Sequence, residues 1–444
     1  MTYTAPIHYV KYLLISAEYA GEAPELFRAE FFGERVQERT AIVEHTKILT
    51  GTQAAAEAAR LSRVQVVAAY PITPQSKIPE VLSSYVEKGD LKAEFVRVES
   101  EHTAMGVCIA ASIVGARAFT ATAANGLAYM HEQLHWAAGA RVPIVMPVTN
   151  RGMGAPWTIL NDTQDSISQR DTGWMQFYCM NNQEVIDLVI VAFKAAEQLL
   201  VPCMVCFDGF RLSHTLMPVS IPEQEKVDKF LPPYVPFHKL DPENPVGINP
   251  VVMTDPLADP DGVLSPGYMG FRARLQQSLE EALPVIRETG REFGDLFGRY
   301  YDDPLYRYRV DDAEFLFITM GALASEATLA ADTLREEGVK AGVLGVRVYR
   351  PFPASELADA VRGRKAAAVL EKAISYGYEG ALMTDLKAAL YGENGGRPVL
   401  SNFILGLGGK DVSTANLLLA ASESIEAAKI GRPQEKPKWI GREV

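Results

Sequence analysis

The stretch ARAFTATAANGLAYMHEQLHWAAGARVPIVMPV, residues 116–148, decides the fold class of this chain. It begins with a strand-like run at 116–122, continues with a helix-like run at 127–138, and ends with an apolar run at 142–148. A strand, a helix and a second strand in close succession predict two parallel strands joined by a crossover helix. In such a sheet the loops that carry function follow the carboxyl ends of the strands.

The same alternation extends on both sides of this stretch and predicts an α/β protein with two parallel-sheet units. The first unit is predicted at 47–235 and the second at 312–444. Between them, 236–311 is predicted to hold a proline-rich linker and a long helix at 271–300, with Pro284 as a candidate kink. Residues 1–46 match neither unit and are predicted to form an N-terminal arm. The other predicted helices lie at 53–62, 101–114, 185–200, 325–337, 354–361 and 381–391, and the other strands at 64–69, 203–207, 315–320, 341–348 and 366–371.

Composition and charge exclude several classes of protein. The chain has 444 residues, with 43 Lys and Arg against 55 Asp and Glu, so its net charge is −12. An acidic balance without a basic run argues against nucleic acid or an anionic membrane as a partner. No apolar run approaches the roughly 20 residues of a membrane-spanning helix. With four scattered cysteines and no recognisable export signal, we expect a protein of the reducing cytoplasm.

Two motifs have the spacing of metal ligands. The sequence HEQLH at 131–135 satisfies the H-E-x-x-H pattern of zinc peptidases, and CMVC at 203–206 is a C-x-x-C. The first lies in a predicted core helix and has no third ligand motif after it. The second lies in a predicted strand, where residues three apart point to opposite faces. We therefore predict no metal site in this chain, and zinc analysis would test the peptidase alternative.

Three further stretches carry reactive side chains, and the first and third of them follow predicted strands. They are YPITP at 70–74, VESEH at 98–102 and TNRGMG at 149–154. The first presents Thr73 on a rigid loop, the second places a carboxylate at a helix start, and the third offers an Arg suited to binding a carboxylate. The alternatives are a capped turn, a match to the helix dipole and a surface salt bridge. A polar run at 161–174 predicts an ordered, hydrogen-bonding loop.

Taken in order, these stretches resemble the alpha subunits of thiamine-dependent 2-oxoacid:ferredoxin oxidoreductases, closest to the pyruvate synthase type. The resemblance implies a thiamine pyrimidine-binding domain at 47–235 and a transketolase C-terminal-like α/β domain at 312–444. The segments that carry it are AAYPITPQ at 68–75, VESEHTAM at 98–105, ATAANGLAYMHEQLHWAAGARVPIVM at 121–146, SQRDTGWMQFY at 168–178, FLPPY at 230–234 and VRVYRPFP at 346–353.

The resemblance also implies an activity, a cofactor and partners. The activity is oxidative decarboxylation of a 2-oxoacid to acyl-CoA and CO₂. Thiamine diphosphate is shared with a beta subunit, which would hold Mg²⁺ and an iron–sulfur cluster. A gamma and a ferredoxin-like delta subunit complete the complex, and iron–sulfur clusters are expected on partner subunits only. A non-catalytic scaffold subunit with the same fold remains the alternative.

Three site residues follow from the resemblance. Glu101 matches the carboxyl group that hydrogen-bonds the pyrimidine ring of the cofactor, and Thr73 and Arg151 match the positions that bind the 2-oxoacid. Two departures bear on ligands. The segment EKAIS at 371–375 replaces a family segment, which leaves CoA contacts there open, and Leu160 replaces an expected aromatic. If Leu160 faces the site, the pocket is larger, and the expected substrate is pyruvate or a bulky or aryl 2-oxoacid such as phenylglyoxylate.

Overall fold

The computed structural model describes residues 45–236, 257–258, 264–265, 267–392 and 396–442. Strands and helices alternate there in two mainly parallel sheets, and the predicted α/β class is confirmed. The predicted arm at 1–46 lies outside the described residues except for 45–46, and much of the predicted linker also lies outside them. None of the helices in the described ranges is long and apolar enough to cross a membrane.

The strands are β1 Thr46–Leu49, β2 Val66–Ala69, β3 Glu94–Arg97, β4 Ala118–Phe119, β5 Val145–Asn150, β6 Met175–Tyr178, β7 Cys203–Asp208, β8 Met217–Ser220, β9 Leu257–Ala258, β10 Leu264–Ser265, β11 Leu305–Tyr308, β12 Phe315–Thr319, β13 Ala341–Val346, β14 Val348–Arg350, β15 Ala366–Glu371, β16 Val399–Ile404 and β17 Lys438–Trp439. The α-helices are α1 Gly51–Leu61, α2 Lys77–Lys88, α3 Glu101–Ile113, α4 Ala124–Tyr129, α5 His131–Gly139, α6 Gln164–Ile167, α7 Asn182–Leu199, α8 Gln224–Phe230, α9 Tyr268–Glu280, α10 Ala282–Phe297, α11 Ala322–Glu336, α12 Ala354–Val361, α13 Ala381–Leu390 and α14 Thr414–Lys429.

The first sheet has seven strands in the order β14-β6-β7-β5-β4-β2-β3. Every neighbouring pair is parallel except β14 and β6. Along β5 and β7 the register pairs Val145 with Cys203 and Asn150 with Asp208, so these strands end level with each other. The loops after β2, β3, β5 and β7 therefore reach the same edge of the sheet.

The second sheet has six strands in the order β11-β13-β12-β15-β16-β17, with β11 antiparallel to its neighbour. Its central strands are alanine-, valine- and phenylalanine-rich and almost wholly buried, as both faces of a parallel sheet require. Strand β15 ends at Glu371, opposite Ile404 of β16.

Strand β14 follows the second unit's β13 in sequence but belongs to the first sheet. Val348 pairs with Phe177 of β6, and the Tyr178 N–H donates to the Arg347 carbonyl at 2.7 Å. The Arg347 guanidinium forms a buried ion pair with Glu184 at 3.0 Å. The sequence predicted one strand at 341–348, whereas the structure ends β13 at Val346 and sends the next residues to the other sheet. The predicted boundaries between the units stay predictions.

Helix α1 shows how the local sequence fixes an element of the first unit. The Thr50 side chain and Gln53 form a capping box at its start, which typically contributes about 0.5–2 kcal/mol. The Gly51 N–H donates to the Leu212 carbonyl at 2.9 Å, and a Cβ on Gly51 would lie 2.8 Å from that oxygen. The alanines that follow are fully buried, which lets α1 pack closely on α7.

Two predicted helices are each divided in the structure. The predicted helix at 127–138 is α4 and α5, separated at Met130, and the predicted helix at 271–300 is α9 and α10, separated at Glu281. Pro284 lies in the first turn of α10, where its missing N–H costs no hydrogen bond. Strands β3, β6 and β16 and helix α14 were not predicted, because short strands and alanine-rich runs give weak local patterns.

Candidate active site

The three predicted site residues lie at one edge of the first sheet. Thr73 is on the loop after β2, Glu101 begins α3 after β3, and Arg151 directly follows β5. Because these strands are parallel, their carboxyl ends meet there, as the sequence predicted. The structure brings Thr73 and Arg151 into direct contact, and Glu101 occupies a neighbouring pocket formed with α4. Their chemical roles stay predictions.

Glu101 is a buried carboxylate without a partner. Ser100 caps α3 by accepting from the Thr103 N–H at 3.2 Å, which places Glu101 in the first helical turn. The side chain is only 7% exposed, yet no residue in the described ranges forms a hydrogen bond or ion pair with its carboxylate. A charge removed from water normally requires such a partner, so this carboxylate is available to a ligand.

Gly126 of α4 forms the opposite wall of the Glu101 pocket. A Cβ on Gly126 would lie 2.6 Å from Oε1 of Glu101 and 2.6 Å from Oγ1 of Thr122. The Thr122 hydroxyl is buried and also has no partner among the described residues. Two unsatisfied polar groups thus converge beside a position that only glycine can occupy, which is the arrangement of a small polar subsite.

Arg151 is a buried guanidinium held by backbone carbonyls. Its Nε donates to the Thr158 carbonyl at 3.0 Å, and its Nη1 donates to the Thr73 carbonyl at 2.7 Å. The residue is 8% exposed, and no carboxylate in the described part of the chain lies within ion-pair distance. Nη2 of Arg151 is therefore available to donate hydrogen bonds to a ligand. Thr73 itself is exposed, and its contact with the guanidinium is made by its backbone carbonyl.

The polar run after β5 connects the two sheets. Asp208, at the end of β7, accepts from Asn161 Nδ2 at 2.7 Å and from Lys372 Nζ at 2.6 Å. Burial and the nearby Asp165 carboxylate raise the pKa of Asp162 to about 7. The sequence predicted an ordered, hydrogen-bonding loop here, and the structure confirms it. Its contact with the end of β15 was not predicted.

The segment after β15 is satisfied within the chain. Glu371 is fully buried and accepts from the Leu382 N–H at 2.8 Å, the Met383 N–H at 3.1 Å and Asn402 Nδ2 at 2.9 Å. Burial raises its pKa to about 7. Lys372 is paired with Asp208. Both charged residues of the EKAIS segment therefore have hydrogen-bond partners within this chain, and a CoA contact by either of them stays a prediction.

The two metal-like motifs are parts of packed elements. His131 of α5 pairs through Nδ1 with Gln169 Oε1 at 2.6 Å, and its ring lies edge-on to His135 with centroids 5.0 Å apart. Cys203 and Cys206 are free and buried in β7. Within the described ranges, no three His, Cys, Asp or Glu side chains are grouped so that they could hold a metal ion.

Sequence reasoning missed Thr122, Gly126 and Asp165 as contributors to this edge. Their signal was present in the segment ATAANG at 121–126 and in the polar run, but neither segment shows which loops meet. Asp165 is fully buried and contacts both the Glu101 pocket wall and the Arg151 backbone.

Comparison with known proteins identifies the family of this chain. Residues 57–260 match the family described as pyruvate flavodoxin/ferredoxin oxidoreductase, thiamine diphosphate-binding, and residues 313–417 match the pyruvate:ferredoxin oxidoreductase core domain II. The ketoisovalerate oxidoreductase subunit VorA of Pyrococcus abyssi is 47% identical over 88% of this chain and 97% of its own length. The pyruvate synthase subunit PorA of Pyrococcus furiosus is 46% identical over 89% of this chain and 97% of its own length.

A solved structure shares the fold at low sequence identity. The 2-oxoglutarate:ferredoxin oxidoreductase from Magnetococcus marinus aligns with a TM-score of 0.62 at 17% identity, covering 86% of this chain and 65% of that chain. The curated relatives are subunits of oxidoreductases that work with partner subunits. The chain therefore belongs to the alpha subunits of the thiamine diphosphate-dependent 2-oxoacid:ferredoxin oxidoreductases, the family that its sequence resembles.

Proposed function

We propose that this chain supplies the pyrimidine-binding half of a thiamine diphosphate site in a multi-subunit enzyme. The enzyme oxidatively decarboxylates a 2-oxoacid, transfers the acyl group to CoA, and passes electrons to iron–sulfur clusters in partner subunits. Glu101 binds the cofactor, and Thr73 and Arg151 bind the substrate. The observation that carries this proposal is the buried, unpaired Glu101 carboxylate.

The residues of the Glu101 pocket fit the aminopyrimidine ring. Such a ring carries nitrogen atoms that accept and donate hydrogen bonds, and the pocket offers an unpaired carboxylate and an unpaired hydroxyl, Thr122 Oγ1. Because Gly126 has no side chain, both of these oxygens can lie close to the backbone of α4. When bound, thiamine diphosphate would supply a nucleophilic carbon on its thiazolium ring, and the positive charge of that ring would be the electron sink that decarboxylation needs.

Glu101 would hold a proton between its own oxygen and the ring nitrogen N1′. A carboxylate without other donors accepts such a hydrogen bond strongly, since no neighbouring group competes for its lone pairs. Its place in the first turn of α3 fixes the direction of approach. Gln at this position could not exchange a proton, which makes it the informative substitution.

Arg151 would bind the carboxylate of the 2-oxoacid through its free Nη2. A guanidinium stays charged at all physiological pH values, and here two backbone carbonyls fix its plane. The Thr73 hydroxyl lies on the same loop whose carbonyl anchors the guanidinium. By binding the 2-oxoacid through groups that are already held in place, this chain would orient the substrate before the reaction begins.

The substrate is proposed to be pyruvate or a bulkier 2-oxoacid, including an aryl 2-oxoacid such as phenylglyoxylate. The two kinds of relatives are named for pyruvate and for ketoisovalerate, at nearly equal identity. Leu160 follows the Arg151 loop, is 38% exposed, and packs on Gly409, where a Cβ would lie 2.4 Å from the Leu160 Cβ. A side chain of this size leaves more room than an aromatic ring.

Partner chains are proposed to complete the site. Large apolar side chains border it in the exposed state, with Trp157 at 68%, Tyr129 at 58% and Ile159 at 48%. Exposed apolar surface of this kind marks protein–protein contact. We assign it to the beta subunit, which would bring the Mg²⁺-diphosphate site and an iron–sulfur cluster, while gamma and ferredoxin-like delta subunits carry electrons onward. The four buried free thiols suit the reducing cytoplasm.

The test is to purify the native complex through this subunit and measure CoA-dependent reduction of a viologen dye. Pyruvate, ketoisovalerate and phenylglyoxylate are compared at equal concentrations, with cofactor content determined on the same sample. Thiamine diphosphate in the complex and turnover of one of these acids support the proposal. Turnover without thiamine diphosphate, or a complex that binds it but converts none of them, refutes it and favours a scaffold subunit. Preference for pyruvate over phenylglyoxylate would eliminate the aryl substrate.

A further inference from the structure

Asp165 is a fully buried carboxylate with no cationic partner in the described ranges. Its Oδ1 accepts from Asn150 Nδ2 at 2.7 Å and from the Ser166 N–H at 2.8 Å. Its Oδ2 accepts from the Ala124 N–H at 2.9 Å and from the Arg151 N–H at 3.0 Å. One oxygen atom therefore joins the backbone of two separate loops.

The first of these loops forms the wall of the Glu101 pocket. Ala124 is the first residue of α4 and has a φ of +44°, a left-handed conformation that a residue with a Cβ seldom adopts. Gly126, which contacts Glu101, lies two residues later in the same short helix. The hydrogen bond from the Ala124 N–H to Asp165 thus fixes the point at which this helix begins.

The second loop carries the substrate-binding guanidinium. Arg151 directly follows the last residue of β5, and its backbone N–H donates to Asp165. A second contact joins the same two loops, since the Gly154 N–H donates to Asn125 Oδ1 at 3.3 Å. The loops of Ala124 and Arg151 are therefore linked through buried groups.

We propose that Asp165 is a positioning residue that sets the distance between the cofactor pocket at Glu101 and the guanidinium of Arg151. The proposal rests on the function proposed above, because it needs Glu101 and Arg151 to act on a cofactor and a substrate. It goes beyond that function by assigning alignment of the two sites to a residue that touches neither ligand.

A carboxylate suits this role because both of its oxygens only accept hydrogen bonds when it is ionised. Burial raises the pKa of Asp165 to about 6, and its four donors oppose that rise. Asn at this position has one accepting oxygen and one donating NH₂ group. In Asp165→Asn the NH₂ group faces at least one backbone N–H whichever oxygen it replaces, so at least one hydrogen bond is lost.

The test measures ligand binding by the intact complex, independently of turnover. Isothermal titration calorimetry gives the dissociation constant of oxamate, an unreactive 2-oxoacid analogue, and that of thiamine diphosphate for the cofactor-stripped complex. We expect Asp165→Asn to weaken oxamate binding about tenfold, as a misplaced binding group does. In an Arg151→Ala background, Asp165→Asn should leave oxamate binding unchanged, because the group through which it acts is gone.

Asp187→Asn is the matched control. Asp187 of α7 is also a fully buried carboxylate, and it accepts hydrogen bonds from Arg299 and Tyr301. Its substitution should lower the unfolding temperature without changing the oxamate dissociation constant. A weaker oxamate complex in this variant would mean that loss of any buried carboxylate has the same effect, and would overturn the proposal.

The remaining outcomes separate this proposal from the proposed function. A wild-type complex that binds neither oxamate nor thiamine diphosphate refutes the proposed function. If the wild type binds both and Asp165→Asn binds oxamate equally well, the positioning role alone is refuted. Should Asp165→Asn fail to assemble, Asn150→Ala replaces it by removing one donor to Oδ1. A smaller weakening of oxamate binding supports the proposal, and an unchanged constant overturns it.

Discussion

The carboxyl edges of the two sheets each carry a buried glutamate, but only Glu371 at the second sheet has hydrogen-bond partners for its carboxylate among the described residues. At the first sheet, Glu101 and Arg151 are nearly buried and have no ion-pair partner among the described residues. At the second sheet, Lys372 is paired with Asp208, and Glu371 accepts three hydrogen bonds. Glu101 and Glu371 are thus similarly buried, but their carboxylates differ in whether they have hydrogen-bond partners among the described residues.

The difference distinguishes a binding site from a structural junction. Burying an unpaired charge costs several kcal/mol, so a fold that keeps one must recover that cost from a ligand or a function. A charge whose hydrogen-bonding capacity is already filled has little left to offer a ligand. Pairing, rather than burial or position in the sequence motif, therefore separates the two edges.

The largest expected effect comes from removing the unpaired carboxylate. Glu101→Gln should lower kcat of the complex by about 10²–10⁴, because Gln cannot exchange a proton. Glu99→Gln is the matched control, since Glu99 lies two residues earlier and is exposed, and its carboxylate accepts from Thr103 Oγ1 at 2.6 Å. The comparison between the edges fails if both variants retain full viologen reduction.

Breaking the Lys372–Asp208 ion pair should lower the free energy of unfolding and leave the activity of the folded complex unchanged. Lys372→Met leaves the buried Asp208 carboxylate without its cation, which typically costs about 3–5 kcal/mol. Lys365→Met breaks an exposed pair with Glu314 and should cost about 0–1 kcal/mol. Thermal unfolding of the complex measures both variants. Adding Asp208→Asn to Lys372→Met should restore part of the loss, and equal unfolding temperatures for the two lysine variants would contradict this interpretation.

A conservative change at the other unpaired charge should have an intermediate effect on substrate use. Arg151→Lys keeps the charge but removes the planar fork, and the loss of one charged hydrogen bond is worth about 1.5–3 kcal/mol, or roughly 10–100-fold in kcat/KM. This decrease in kcat/KM should appear as a higher KM for the 2-oxoacid. Arg211→Lys, which changes an exposed arginine paired with Glu326, should leave KM unaltered.

The smallest effect concerns the pH dependence of stability at the second sheet. Burial raises the pKa of Glu371 from 4.5 to about 7, so the folded state binds a proton more tightly than the unfolded state does. Its stabilising contribution is present below pH 4.5 and is lost as the pH rises through about 7. The unfolding temperature of Glu371→Gln minus that of the wild type should therefore increase by about 1–3 °C as the pH rises from about 5.5 to 8. A difference independent of pH would contradict this assignment.

The sequence predicted elements and single residues better than contacts between loops. Thr73 and Arg151 follow predicted strands and Glu101 opens a predicted helix, but the resemblance to the family is what marked these three as site residues. Asp165 was missed because its partner Ala124 is 41 residues away, and the Lys372–Asp208 pair spans 164 residues. Hydrophobic periodicity describes local structure and carries no information on which loops meet.

Strand β14 has a consequence for synthesis of the chain on the ribosome. Among the described residues, the edge of β6 at Met175–Tyr178 that does not face β7 is completed by Val348–Arg350. At roughly 5–20 residues per second, the ribosome adds the intervening residues in roughly 10–30 s. During that time the nascent first sheet presents an open, apolar edge strand to other nascent chains. The protein therefore has a defined interval in which a chaperone, or a rapidly bound partner subunit, decides between folding and aggregation.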